Sequence, residues 1–140
     1  MCNVKRNATR TTTVYKGPNV LVVHLKRFHV AAVNDTRKIS KFLAFEPELT
    51  LKVTETGQSP VYDLSGVIVH DGPTLFNGHY YCYVKTSTNT WALKDDQFVR
   101  PVTLSEVLRQ KAYVLVYTKR AATRTQSAEL SAGNLLTRWG

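Results

Sequence analysis

The apolar residues of this chain come in short β-branched and aromatic runs, each cut off by a turn signal. That punctuation limits the possible folds more than any other feature. Residues 20–23 (Val-Leu-Val-Val) emerge from Gly17-Pro18 and lead into His24-Leu25-Lys26-Arg27-Phe28. Such a run reads as a strand, buried on both faces at first and alternating later. Asn34-Asp35-Thr36 is a turn signal. Residues 49–53 and 62–70 read as further strands, split by the turn-rich stretch 54–60. Asp71-Gly72-Pro73-Thr74 opens a loop that closes at Asn77-Gly78. Tyr, Val and Cys alternate through residues 79–85, the clearest strand pattern in the chain. Ser87-Thr88-Asn89 then turns the chain, and residues 90–93 return as a partner strand.

One segment breaks the pattern. Thr103-Leu104-Ser105-Glu106 matches a capping box, in which the Thr and Glu side chains each satisfy a backbone donor of the other. It predicts a short helix running to Arg109 or Gln110. Residues 112–117 form a last, almost wholly apolar strand, and 120–140 read as a loosely ordered Ala/Thr/Ser/Arg-rich tail after a domain of 1–119. The expected class is α+β: a mostly antiparallel sheet with one short helix.

A chain of 140 residues with 43% hydrophobic and 21% charged residues has the composition of one globular domain. No apolar run approaches the ~20 residues a membrane helix needs, and residues 1–10 are too polar and basic for a signal peptide. Two cysteines, Cys2 and Cys82, cannot build a disulfide framework or a four-cysteine zinc site, which points to a reducing compartment such as cytoplasm or nucleus. Nine of the 19 basic residues but only one of the ten acids fall within 1–41. That imbalance could meet nucleic acid or an acidic partner, or simply be the solvated face of a few strands. Nucleic acid ranks last, because few aromatics (Tyr15, Phe28, Phe42, Phe45) accompany those charges.

The residues with the clearest chemical content are His79, Asp95 and Asp96. If 79–85 and 90–96 form a hairpin about Ser87-Thr88, His79 lies opposite Asp95 or Asp96. Opposed Cβ atoms in an antiparallel pair are roughly 4.5–5.5 Å apart, within reach of a His–carboxylate hydrogen bond. Such a bond holds an imidazole in one tautomer, so that its other nitrogen can act as a base. Cross-strand His–Asp pairs are commonly structural, but Gly78 beside this one permits close approach of a ligand backbone.

The ordered blocks Leu21-Val22-Val23-His24-Leu25-Lys26-Arg27-Phe28, Tyr62-Asp63-Leu64-Ser65-Gly66-Val67-Ile68-Val69-His70-Asp71-Gly72 and Gly78-His79-Tyr80-Tyr81-Cys82-Tyr83-Val84-Lys85 resemble the C-terminal half of the ubiquitin-specific protease family. Trp91 with Asp95-Asp96, and the closing Ala112-Tyr113-Val114-Leu115-Val116-Tyr117, match in the same order. The resemblance covers roughly residues 2–118. It implies a papain-like cysteine protease that releases ubiquitin from its conjugates, with this stretch supplying most of the palm sheet and part of the fingers. It further implies His79 as general base, Asp95 as the residue that orients it and Asp96 as a second polar residue nearby. The loop around Asp71, Gly72, Asn77 and Gly78, with Tyr81, would line the channel for ubiquitin's C-terminus. Ubiquitin and ubiquitinated proteins are the implied partners, with no cofactor or metal.

The nucleophile of that family lies in an N-terminal Cys box, and nothing in these residues resembles it. Cys82 is three positions from His79 on the same strand, roughly 10 Å away and on the opposite face, so it reads as a small buried hydrophobe. Cys2 sits where many family members place part of a zinc-binding Cys pair, but the position expected to hold its partner is Lys5. The expectation is therefore a fragment or truncated product of a larger protease that provides His and Asp without Cys. A non-catalytic ubiquitin-binding piece is the alternative. Among the remaining residues, His70 is expected to pack near the cleft without a proton-transfer role, Phe28 to lie in the core and Trp91 to anchor the hairpin.

Overall fold

A computed structural model describes residues 7–32, 35–74 and 76–121. The expected tail from 122 onward, and Cys2, lie outside the described residues. The elements in chain order are β1 (Val20–His24), β2 (Phe28–Ala32), β3 (Asp35–Lys38), β4 (Glu48–Thr50), β5 (Val61–Asp71), β6 (His79–Lys85), β7 (Trp91–Asp95), β8 (Phe98–Val102), α1 (Leu104–Leu108) and β9 (Ala112–Lys119). Seven strands form one antiparallel sheet in the order β1-β9-β5-β6-β7-β8, with β4 also paired to β5. The fold class expected from the sequence is the one observed.

Strand β5 is the spine. One edge is taken by β9 over residues 62–69, so the other is shared by β4 at residues 61–63 and β6 at 66–71. An extra residue, Ser65, bulges out of β5 against β9, and Tyr113 bulges out of β9 further along. The first bulge shifts the side-chain alternation by one. Tyr62 and Leu64 before it, and Val67 and Val69 after it, therefore all reach the core. Ala112, Leu115 and Tyr117 from β9, Tyr83 from β6, Trp91 and Leu93 from β7, Val107 of α1, and Phe45 before β4 complete that core.

Besides β1, which alternates between exposed and half-buried residues where burial on both faces was expected at first, the elements depart from the sequence reading in four places. The first strand ends at His24, and the chain leaves the sheet over Leu25–Arg27 to start the separate β2-β3 hairpin. There Arg27, not Phe28, is the buried residue, at 5% exposure. Its guanidinium donates to the carbonyls of Ala112, Ile39 and Lys41. Arg27 therefore contributes to the N-terminal basic excess without belonging to a solvated face. The third departure is β8, which the sequence reading missed: Pro101 argues against an interior strand but is tolerated here at the sheet edge. The fourth is the capping box, which is half made. Thr103 Oγ1 accepts from the Glu106 amide, while the Glu106 carboxylate turns to Arg100 of β8.

Leu64, 1% exposed at the centre of β5, sets the scale of core packing. Leu64→Ala should cost about 3 kcal/mol in urea unfolding. Val22→Ala, at a 59% exposed position of β1, should cost about 0.5 kcal/mol or less.

Candidate active site

Strands β6 and β7 and the turns around them build the site. The register is Cys82↔Lys94, Tyr83↔Leu93, Val84↔Ala92 and Lys85↔Trp91. Continued by one step it sets Tyr81, not His79, opposite Asp95. The cause is the turn: the loop is three residues long, with Asn89 in the left-handed region at φ 63° and Thr86 and Thr90 closing it. A two-residue loop about Ser87-Thr88 would have given the expected direct pairing. The one-residue longer loop makes His79 a diagonal neighbour of Asp95 on the same face, a separation that long side chains still span. His79 Nε2 and Asp95 Oδ1 are in hydrogen-bond contact.

Asp95 is the last paired residue of β7, held against Phe98 across the two-residue turn Asp96-Gln97. Asp96 takes φ 48° there, a conformation Asp tolerates better than most residues. Its carboxylate joins the others: ligand atoms of His79, Asp95 and Asp96 all lie within 4.8 Å of one another. Such a trio could hold a cation, although His79 and Asp95 already spend one atom each on their mutual contact. All three predicted catalytic residues are thus brought together. The His79 side chain is 50% exposed and that of Asp95 37%.

The contact with Asp95 raises the His79 pKa above the ordinary imidazole value, first through the hydrogen bond and then through the negative charge. The Tyr81 ring lies alongside His79, with centroids 6.4 Å apart and planes at 30°. Its phenol is pushed up by burial and by Asp71 and Asp95. Asp71 pairs directly with His79 across β5 and β6.

The two glycines of the loop are close-approach positions. A Cβ on Gly78 would lie 2.1 Å from His70 Nε2, and one on Gly72 would lie 2.3 Å from the Asn77 carbonyl oxygen. Asn77 accordingly closes the loop against Gly72, and its amide donates to Thr74 Oγ1 at 3.1 Å. His70 is 4% exposed, packed among the rings of Phe28, Tyr80 and Tyr113. Burial, and secondarily Lys38, hold it below the ordinary imidazole value. Lys38 was not singled out from the sequence. Its ammonium donates to the carbonyls of His70 and Gly72, both at 2.7 Å, and so pins the start of the loop. No local pattern marks it, because in sequence it is one more lysine in a basic stretch. Cys82, half-buried, pairs with Ile68 and Lys94 and falls on the face opposite His79.

A strand-borne imidazole, steadied by a carboxylate from the next strand beside a glycine-closed loop, has the geometry that general-base chemistry requires. Comparisons with known proteins give the family. Residues 2–117 match the family model described as ubiquitin carboxyl-terminal hydrolase, and the chain belongs to that family. It is 34% identical over 139 residues to the probable ubiquitin carboxyl-terminal hydrolase 16 of Schizosaccharomyces pombe, covering 98% of this chain and 30% of that protein. It is 39% identical over 125 residues to ubiquitin carboxyl-terminal hydrolase 17 of Arabidopsis thaliana, covering 84% and 17%. The fold superposes on the yeast SAGA DUBm with TM-score 0.72 and 35% identity, covering 79% of this chain and 25% of that one. A SAGA Ubp8/Sgf11/Sus1/Sgf73 DUB module bound to ubiquitin aldehyde matches at TM-score 0.71 and 33% identity, covering 79% and 26%. This chain therefore spans less than a third of the length of these relatives.

Two measurements probe the site on the chain itself. In an NMR titration His79 should titrate above the ordinary imidazole value, and Asp95→Asn should move its midpoint down. The pair favours the protonated ring, so its contribution to stability is complete below the ordinary imidazole pKa and fades as pH rises through the folded one. An unchanged midpoint in Asp95→Asn would show that the pair is not formed in solution. Gly78→Ala should destabilise the chain by about 2 kcal/mol through overpacking, and part of that loss should return in a His70→Ala background, where the ring is gone.

Proposed function

We propose that this chain supplies the general base and its orienting carboxylate to a deubiquitinase that hydrolyses the bond after the C-terminal glycine of ubiquitin. The observation that carries the reading is the His79–Asp95 contact beside the loop that Gly72 and Gly78 close. In the reaction, a cysteine thiol loses its proton to His79, and its sulfur attacks the scissile carbonyl carbon. The C–N bond breaks as His79 returns the proton to the leaving lysine amine. Water then attacks the thioester, giving its proton to His79, and the C–S bond breaks to release the ubiquitin carboxylate and the thiol. Asp95 keeps the imidazole aimed and stabilises its protonated form, and Asp96 adds negative charge to the same side.

Asp71, Gly72, Asn77, Gly78 and Tyr81 surround His79, and in this reading they line the path of the ubiquitin tail. The exposed Phe76 at the loop tip offers an apolar contact beside it. Cys82 faces away from His79, so the thiol comes from outside the described residues. The chemistry needs a reduced thiol, which suits cytoplasm or nucleus.

A ubiquitin–fluorophore assay tests this. The 140-residue chain alone should show no turnover, and any turnover it did show would overturn the assignment of the nucleophile. Joined to the nucleophile-bearing half of the fission-yeast relative it should become active. His79→Ala should then lower kcat/KM by about 10²–10⁴-fold; retention of full activity would remove His79 from the mechanism.

A further inference from the structure

On the side of the sheet where the β2-β3 hairpin meets the start of β9, Arg27, Lys38, Arg109 and Lys111 converge on a cavity of about 420 Å³. Among the described residues Asp71 is the one acid in its wall, against these four cations. Two features mark it as more than a basic surface. Arg27 is 5% exposed, and after its Nε and one terminal nitrogen have bonded to three carbonyls, its Nη2 remains buried without a partner among the described residues. An unpaired buried donor of this kind is costly and is the natural anchor for an acceptor oxygen. Burial lowers the pKa of Lys38, the Asp71 carboxylate opposes that, and the charges of Arg27 and Lys111 lower it further.

We propose that this cavity binds a multivalent phosphate anion of the pyrophosphate type. Arg27 Nη2 and the remaining N–H of the Lys38 ammonium would receive the inner oxygens, Arg109 and Lys111 the outer ones, and the Gln110 amide and Ser40 hydroxyl add neutral donors in the wall. Guanidinium groups match phosphate geometry through paired N–H bonds, and each charge-assisted bond is stronger than a neutral one. A single carboxylate answers only one of the described cations, whereas a diphosphate can meet several of them at once. The volume lies within the roughly 300–1,000 Å³ range of small-molecule pockets. The cavity shares Asp71, Gly72 and Tyr81 with the surroundings of His79 but does not include His79 itself, so anion binding does not require the imidazole.

The test is a titration of the 140-residue chain with pyrophosphate at constant ionic strength, followed by amide NMR. Saturable shifts at Arg27, Lys38, Gly72 and Lys111 at millimolar ligand or below are expected, and they should be the same in His79→Ala. Arg109 and Lys111 are exposed, so the double variant Arg109→Gln/Lys111→Gln should keep the fold, read from its unliganded melting temperature, while weakening binding by about tenfold or more. Absence of saturable shifts, or affinity unchanged in the double variant, would overturn the site. Equal affinity for citrate would overturn its assignment to phosphate.

Discussion

The arrangement depends on β5 being paired along both edges. A strand closed on both sides cannot slide without breaking two ladders at once, and a one-residue slip would turn its buried side chains to the wrong face. The Ser65 bulge works inside that constraint. It lets Tyr62 and Leu64 share a core with Val67 and Val69, and it leaves Asp71 at the end of the strand, paired with His79. Core packing at one end of β5 thus sets where His79 stands at the other.

Two cations extend this control to the segments that are not in the main sheet. Arg27 ties the 39–41 segment to the first residue of β9 through backbone carbonyls, and Lys38 ties the end of β3 to the carbonyls of His70 and Gly72. These are charge-assisted bonds to groups that would otherwise need other partners, so each side chain replaces ladder hydrogen bonds that irregular backbone cannot make. The β2-β3 hairpin, which forms its own two-stranded sheet, is anchored to the site by Lys38.

What could be read from the sequence follows from which signals are local. The long strands β5, β6 and β9 carry enough β-branched and aromatic residues to declare themselves, and so does the Thr103 cap. The three residues His79, Asp95 and Asp96 could be grouped because His79 stands at the open end of the hairpin, where one of two adjacent carboxylates comes within reach in either register; which one shares its face depends on loop length. The register itself could not be read, since it depended on Asn89 adopting a positive φ. Strand β8 was hidden by Pro101, whose acceptability is a property of its place at the edge of the finished sheet. The inward turn of Arg27 and Lys38 was hidden because their partners, such as Ala112 and His70, are far away in sequence, and a basic residue looks the same whether it meets water or a carbonyl.

The exposure of the His79–Asp95 pair shows where its orientation comes from. With both side chains more than a third exposed, water and salt screen their attraction, and a surface ion pair of this kind is a weak clamp by itself. The stronger constraints act on the backbone. His79 is paired to Asp71 in the ladder, the preceding Gly78 is pressed against the buried ring of His70, and Lys38 holds the carbonyl of His70. Asp95 is fixed in the same way, by its place opposite Phe98 at a tight turn. The two side chains meet because two hairpins of fixed register deliver them to the same spot. Their mutual bond then selects the ring's tautomer and raises its basicity, the part of the task that electrostatics at a water-exposed site can still perform.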